Sequence, residues 1–291
     1  MIRPMLAATI EDEAQLEQLR YPVFVQPKLD GRRCLIIKGQ AYSRSLKPLP
    51  NKTTRLELAA LFKIFLRNYD GEIIVGHTLF DTQSAISSHG GEPDWIYYVF
   101  DSFSTDTTET YRYRHKTLIF LDHPRIKEVE TREAHSISEI LGFEEYYLSL
   151  GYEGIIIRDP CSPYKYGRST LKEGYLLKFK RHKTTEGVIT EIHRAWENIN
   201  DDFSNELGLT ARSKHTDGLI PKNEMGSITI SHPTLGNVNI GTGFSSLLRQ
   251  LMWKDQRHYI GKTVTFKYRD YGIKDKPREV VFLAFRDKDD L

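Results

Sequence analysis

Apolar and polar positions alternate along this chain in short runs. Val23-Phe24-Val25 and Cys34-Leu35-Ile36-Ile37 are apolar and β-branched, which predicts two strands. Gln26 to Arg33 joins them, and its Asp30-Gly31 is a tight-turn signal, so the local pattern expects a hairpin. Glu11 to Arg20 carries Ala14, Leu16 and Leu19 and predicts a short helix. Thr54 to Tyr69 places Leu56, Leu58, Ala59, Leu61, Phe62 and Phe65 at mixed spacings of three and four, which predicts a longer one. Gly71 to Val75, Trp95 to Phe100, Gly154 to Arg158 and Tyr175 to Lys180 read as strands. Ser138 to Leu150 reads as a helix closed by Gly151.

The character changes after Lys183. Gly187 to Ile192, Gly226 to Ile230, Asn237 to Ile240, Thr263 to Tyr268 and Val280 to Phe285 predict five short strands, with a helix from Leu247 to Arg257 before the fourth. That pattern suits a small barrel of the oligonucleotide-binding type, the OB-fold. Trp196 to Glu224 interrupts it with Asn, Asp, Ser, Lys and Arg, and is expected as a long insertion between the first two strands. The fold class is therefore α+β: residues 1–184 as one domain of antiparallel sheets with helices, and residues 185–291 as an OB-fold β-barrel with an insertion at about 196–224.

Composition narrows the classes. Of 291 residues, 39% are hydrophobic and 27% charged, enough to bury a core and to exclude disorder as the main state. No stretch approaches the roughly 20 apolar residues of a membrane helix, and Met1 to Leu6 lacks the apolar run of a secretory signal. Cys34 and Cys161 alone build neither a disulfide framework nor a four-ligand zinc site. The chain is expected in the cytoplasm, with reduced thiols and no membrane partner. The histidines show no ligand spacing. Cys34 lies in an apolar strand and is expected in the core.

The net charge of +2 says nothing about partners, but its distribution does. Lys165, Arg168, Lys172, Lys178, Lys180, Arg181 and Lys183 crowd one segment against Glu173 alone, interleaved with Tyr164, Tyr166, Tyr175 and Phe179. A concentrated patch on a balanced chain suits a localised anion such as phosphate, although charge runs are more often plain solvated faces.

Lys28-Leu29-Asp30-Gly31-Arg32-Arg33 is the sharpest local feature. A lysine amine is a nucleophile only without its proton, so it needs a depressed pKa or a nearby cation, and Arg33 with the basic strand at Lys178 and Lys180 suits that role if the fold brings them close. Ser43-Arg44, Asp70-Gly71-Glu72, Tyr98-Val99-Phe100-Asp101, Glu153 to Arg158 and Leu176 to Lys180 follow in order. Each is weak alone. Together they describe a pocket in which Lys178 and Lys180 share a strand face toward one phosphate. Glu72 and Glu153 suit a ribose hydroxyl or a magnesium shell, and Phe100 suits a stacked base.

These motifs, in this order, resemble those of the covalent nucleotidyltransferase superfamily, and most closely the ATP-dependent DNA ligases of minimal viral and phage type. The resemblance implies an N-terminal adenylation (nucleotidyltransferase) domain before the barrel, with ATP and Mg2+ as cofactors and nicked double-stranded DNA as partner. It implies that Lys28 takes AMP from ATP, passes it to the 5′-phosphate of a nick, and that the 3′-hydroxyl then displaces AMP. Arg33 and Arg44 resemble the arginines of the phosphate and ribose region and of the nick phosphate. Glu72 resembles the ribose contact, with a metal role open, and Phe100 the adenine-stacking ring. Glu153 resembles the acid that supports the metal, and Lys178 and Lys180 the lysines on the α-phosphate.

Further carry-overs are Arg168, in Tyr164 to Gly174, as a nick-phosphate contact, and Arg278, Arg286 and Asp290 as the final motif that orients pyrophosphate. The insertion stands where small ligases carry a latch around the duplex. Arg194, Arg212, Lys214, His215 and Lys222 suit DNA phosphates there, and the segment is expected to be mobile without DNA. The resemblance implies a monomer that encircles DNA through this latch, a bare core without appendages, and host cytoplasm if the gene is viral. An RNA ligase, an mRNA guanylyltransferase using GTP and a non-catalytic nucleic-acid module are the alternatives. The context of Lys28 and the Glu153 to Arg158 motif fit the DNA ligases better.

Overall fold

The computed structural model describes residues 2–104, 108–118, 123–205, 208–269 and 277–286. The chain divides into two compact units, Met1–Lys180 and Arg181–Leu291.

The first unit is built on two five-stranded sheets. In spatial order one holds Ala8–Ile10, Leu176–Phe179, Ile155–Arg158, Val23–Pro27 and Arg132–Ala134. The other holds Gln40–Ser43, Arg32–Ile37, Asn68–Val75, Trp95–Phe103 and Ile126–Glu128. Neighbours are antiparallel except at two edges, where Ala8–Ile10 and Ile126–Glu128 run parallel to theirs. Strand alternation decides what each face meets. Cys34 and Ile36 pack with Leu58 and Phe62 of helix Lys52–Phe62 and with Ile86 of helix Leu79–Ser87. Leu35, between them, turns to the opposite face, into a cluster with Met5, Phe103, Tyr164 and Leu176 that joins the two sheets. Ile140 and Tyr147 of helix Ile137–Ser149 cover Val25, Ile155, Ile157, Leu177 and Phe179 of the first sheet.

Two sequence expectations need correction here. The lysine segment is not a hairpin: Val23–Pro27 belongs to one sheet and Arg32–Ile37 to the other, so Lys28 to Gly31 crosses between sheets. Glycine at 31 serves close approach, because a Cβ there would lie 2.4 Å from the Ile73 carbonyl oxygen. The predicted helix to Tyr69 stops at Phe62. Tyr69 keeps helical spacing to Phe62, but it meets that ring at 4.9 Å from the strand Asn68–Val75.

In the second unit five antiparallel strands stand in the order Gly236–Ile240, Leu219–His232, Lys183–Asn198, Thr263–Arg269, Arg278–Phe285. The outer two meet through a bridge between Thr242 and Val281, where the Phe282 N–H donates to the Thr242 carbonyl at 3.0 Å, and the sheet becomes a barrel. Ile189, Ile228, Ile230, Val264, Phe266 and Met252 fill it. Arg249, on helix Ser246–Lys254, donates to the carbonyls of Met225 and Gly226 within one strand and of Gly241 just past its neighbour, and so ties the helix to both strands.

The region expected as a mobile polar insertion is largely extended and paired. Lys183–Asn198 and Leu219–His232 continue together past the barrel wall to the pair Asn198 and Leu219, and Asp202–Ser204 pairs with Thr210–Arg212 beyond them. The result is a two-stranded ribbon with Trp196 59% and Phe203 54% exposed.

Candidate active site

Lys28 opens the crossing segment, and its backbone N–H donates to the Gly154 carbonyl at 2.9 Å. Its Nζ reaches Glu153 Oε2 at 2.6 Å. Lys180, just past the strand Leu176–Phe179, brings its own Nζ to the same oxygen. Gly154 makes this convergence possible: its φ is +142°, and a Cβ there would lie 2.4 Å from the Phe179 carbonyl oxygen. Burial pushes the Glu153 carboxyl up, but the two ammonium groups and their hydrogen bonds outweigh it and hold the group at about 2. Glu153 is therefore held ionised between the two lysine Nζ atoms.

Glu72 lies mid-strand in Asn68–Val75, not at its start, with its backbone opposite Arg33. Its carboxylate makes no hydrogen bond among the described residues. Burial raises its pKa to about 7 against the pull of Arg33 and Lys28, and Asp70 and Asp30 add to the rise. Phe100, half-buried on Trp95–Phe103, has the guanidinium carbons of Arg33 and Arg158 at 5.3 and 5.2 Å from its ring centre.

Arg33 is less free than a phosphate contact suggests. Its Nε donates to Asp70 Oδ1 at 2.8 Å, and its Nη2 to Asp70 Oδ2 and to the Met5 carbonyl at 2.7 Å. Only Nη1 is left without a hydrogen bond among the described residues. Tyr164 donates to the same Asp70 Oδ2 at 2.7 Å. Sequence reasoning named neither Asp70 nor Tyr164 as functional. It also missed a buried network that reaches the Phe100 backbone. Asp101 accepts from Arg114 at 2.9 Å and Arg158 at 2.8 Å, Arg158 donates to Gln26, and Gln26 donates to Tyr111, which donates to the Phe100 carbonyl. The signal was available, since Asp101 and Arg158 close two of the short motifs.

Arg44 is exposed at the end of Gln40–Ser43 and donates no hydrogen bond among the described residues. Burial lowers its pKa first, then the like charges of Arg33 and Arg168, while Glu72 opposes them. Arg33, Glu72 and Arg168 therefore each lie within electrostatic reach of Arg44, far apart as they are in sequence. Arg168 is anchored by one donor, Nη1, to the Ala7 carbonyl at 2.6 Å. Lys178 is half-buried on the strand beside Ile156 and Thr9, with Leu177 and Phe179 turned into the core as alternation requires.

The second unit treats its assigned residues unevenly. Arg194 is tied down: Nε donates to the Lys222 carbonyl, Nη2 to Asn223 Oδ1, each at 3.0 Å, and the guanidinium lies over Trp253. Lys222 pairs with Glu224 at 2.7 Å. Arg212 is exposed with one bond to the Asn200 carbonyl, and Lys214 and His215 are exposed. Arg286 pairs with Glu186. Arg278 begins the last strand opposite Arg269. Asp290 lies outside the described residues.

Among the described residues no three His, Cys, Asp or Glu side chains cluster to hold a metal. Magnesium needs fewer, since it keeps several waters and takes one or two carboxylates beside substrate phosphates. Glu72, unserved by hydrogen bonds, and Glu153 have the oxygen donors such an ion uses. Among the described residues no helix is long and apolar enough to cross a membrane.

A family profile described as "ATP dependent DNA ligase domain" matches residues 4–180, and one described as "DNA ligase OB-like domain" matches residues 221–286. The crystal structure of Chlorella virus DNA ligase-adenylate is 33% identical, with 99% of each chain covered and a TM-score of 0.54. The ATP-dependent DNA ligase of bacteriophage T7, in complex with ATP, shares the fold at 15% identity, with 98% of each chain covered and a TM-score of 0.53. A DNA ligase of Haemophilus influenzae is 24% identical over 217 residues, 72% of this chain and 68% of that protein.

Proposed function

Because this chain belongs to the ATP-dependent DNA ligases, enzymes that use ATP and act on DNA, we propose that it seals 5′-phosphate/3′-hydroxyl nicks in duplex DNA through lysyl-AMP and adenylylated-DNA intermediates. The observation that carries this reading is the meeting of Lys28 and Lys180 on Glu153. Lys28, read as the nucleophile, then has a second amine at its side and Glu72 within electrostatic reach. The Chlorella virus relative, described as a ligase-adenylate, supports the same intermediate.

In the first step Lys28 Nζ, having lost its proton, attacks the α-phosphorus of ATP. An N–P bond forms and pyrophosphate leaves. Lys178 and Lys180 take the charge on the α-phosphate, and Phe100 stacks on the adenine. In the second step an oxygen of the nick 5′-phosphate attacks the same phosphorus, and the N–P bond breaks. In the third the 3′-hydroxyl attacks the 5′-phosphate and AMP leaves. Transfers of this kind gain most from fixed charges already aimed at the phosphoryl oxygens. Magnesium held by Glu72 and Glu153 would draw charge from those oxygens. Arg33, Arg44 and Arg168 receive the nick phosphate. The protein acts as a monomer, with the ribbon of the second unit as a latch on the far side of the duplex.

The test is to incubate the protein with magnesium and ATP or GTP labelled at the α-phosphate, denature it, and assay retained label, then to offer nicked DNA and nicked RNA duplexes. We expect acid-labile label from ATP, none in Lys28→Ala, and sealing of nicked DNA. Label from GTP, or no label on protein shown by mass to be free of AMP, overturns the reading.

A further inference from the structure

We propose that Tyr164 is a positioning residue which, with the carbonyl edge of the strand Met5–Leu6, fixes Arg33 and Arg168 so that they and Arg44 present their free donors to one phosphate. This deepens the nick-sealing reading and rests on it.

Three guanidinium groups brought toward one anion repel one another before the anion arrives. Burial lowers the Arg44 pKa most, and the like charges of Arg33 and Arg168 add to the fall in the sense such repulsion requires. Holding them requires anchors that take one edge of each group and leave the rest. The fold supplies such anchors from a short segment of main chain. The Met5 carbonyl accepts Arg33 Nη2 at 2.7 Å, and the Ala7 carbonyl accepts Arg168 Nη1 at 2.6 Å. Met5–Leu6 pairs in parallel with Gly167–Arg168, Leu6 opposite Arg168, so the strand also sets the backbone from which Arg168 projects.

Tyr164 locks this strand to the other anchor. Its hydroxyl donates to Asp70 Oδ2 at 2.7 Å and receives the Met5 N–H at 3.4 Å. Asp70 in turn grips Arg33 along the Nε–Nη2 edge. One hydroxyl thus ties together the carboxylate and the strand that hold Arg33 from two sides. Its ring is 1% exposed and stacks on Phe103 with centroids 4.1 Å apart, so the hydroxyl has little freedom to leave. Arg33 Nη1 and the Nε and Nη2 of Arg168 are left without hydrogen bonds among the described residues, as are all the donors of Arg44. A phosphate dianion uses such donors well.

The experiment compares wild type with Tyr164→Phe, which keeps the ring and removes the hydroxyl. Binding of the full chain to nicked duplexes ending in 5′-phosphate or 5′-hydroxyl is measured, together with the melting midpoint and label retained from ATP. Loss of a buried hydrogen bond to a charged group corresponds to about a tenfold change. We expect the preference for 5′-phosphate to fall about tenfold while binding to the 5′-hydroxyl nick is unchanged; packing damage alone would weaken both equally. Unchanged preference in a folded Tyr164→Phe overturns the positioning role. If Tyr164→Phe does not fold, Asp70→Asn tests the same anchor by the same ratio, with the same two outcomes. A wild-type protein that takes label from ATP yet shows no 5′-phosphate preference refutes the placement of the nick phosphate, separately from the role of Tyr164.

Discussion

Lys28 and Lys180 donate to one and the same oxygen, Oε2 of Glu153. Each lysine is held by the carboxylate that holds the other, so neither can be displaced without altering the site of both. Removing one partner of a buried ionic cluster costs about 3–5 kcal/mol. Glu153→Gln is expected to lower labelling from ATP by at least about a hundredfold, at roughly 1.4 kcal/mol per tenfold. A rate within threefold of wild type would mean that the carboxylate does not organise the nucleophile.

Glu72 and Glu153 respond to pH with opposite signs. Glu72, raised to about 7, stays protonated in the folded chain where the unfolded chain has already ionised. Its contribution to stability is full below the ordinary carboxyl range near 4.5 and is lost as pH rises through about 7. Glu153, held at about 2, stabilises above that range and loses its contribution only as pH falls toward 2. Urea midpoints of wild type and Glu72→Gln should therefore converge or cross between pH 5 and 8 as wild type loses its advantage. A difference that stays constant over that interval would show that Glu72 titrates as an ordinary carboxyl.

Gly154→Ala carries a double penalty, a φ of +142° and a Cβ set 2.4 Å from the Phe179 carbonyl oxygen. Strain of this kind costs about 1–3 kcal/mol. The variant is expected to melt several degrees lower and to lose labelling by more than its lost stability explains, because Glu153 is the next residue. Full labelling in a destabilised variant would separate the backbone requirement from the site.

The ribbon allows a clean deletion. Residues 199–218 can be replaced by an Asn-Gly turn, since Asn198 and Leu219 are already paired. Sealing of nicked DNA is expected to fall far more than labelling from ATP. Equal losses would mean that the ribbon serves the fold and not DNA.

Legibility from sequence depended on how many faces of a segment are covered. Arg32–Ile37 reads as a strand because Cys34, Leu35 and Ile36 are all buried, against helices on one side and the other sheet on the other. The ribbon gives no such signal. Both its faces meet solvent, so its strands need no apolar alternation and resemble a loop. The site divides in the same way. Lys28, Glu153 and Lys180 stand in short motifs whose chemistry is local, and the structure brings them together. The partners of Arg33 were hidden, because Asp70, Tyr164 and Met5 come from three distant segments and meet only through sheet register. The Asp30-Gly31 turn signal misled for a related reason: local turn chemistry says nothing about which sheet the next strand joins.

The continuous pairing of Lys183–Asn198 with Leu219–His232 bears on how this arm can vary among descendants of the gene. A strand advances about 3.4 Å per residue and repeats its facing every second residue. Codons can therefore be gained or lost in matched pairs on the two sides, changing reach in steps of about 7 Å while every remaining side chain keeps its face. A single-codon change on one side reverses all that lies beyond it, unless a bulge absorbs the slip. The pairing already has three such irregularities, at Ile189/Glu191, His193/Arg194 and Arg194/Trp196. They lie from the barrel wall to the root of the arm, where an odd residue can be taken up without turning over the tip.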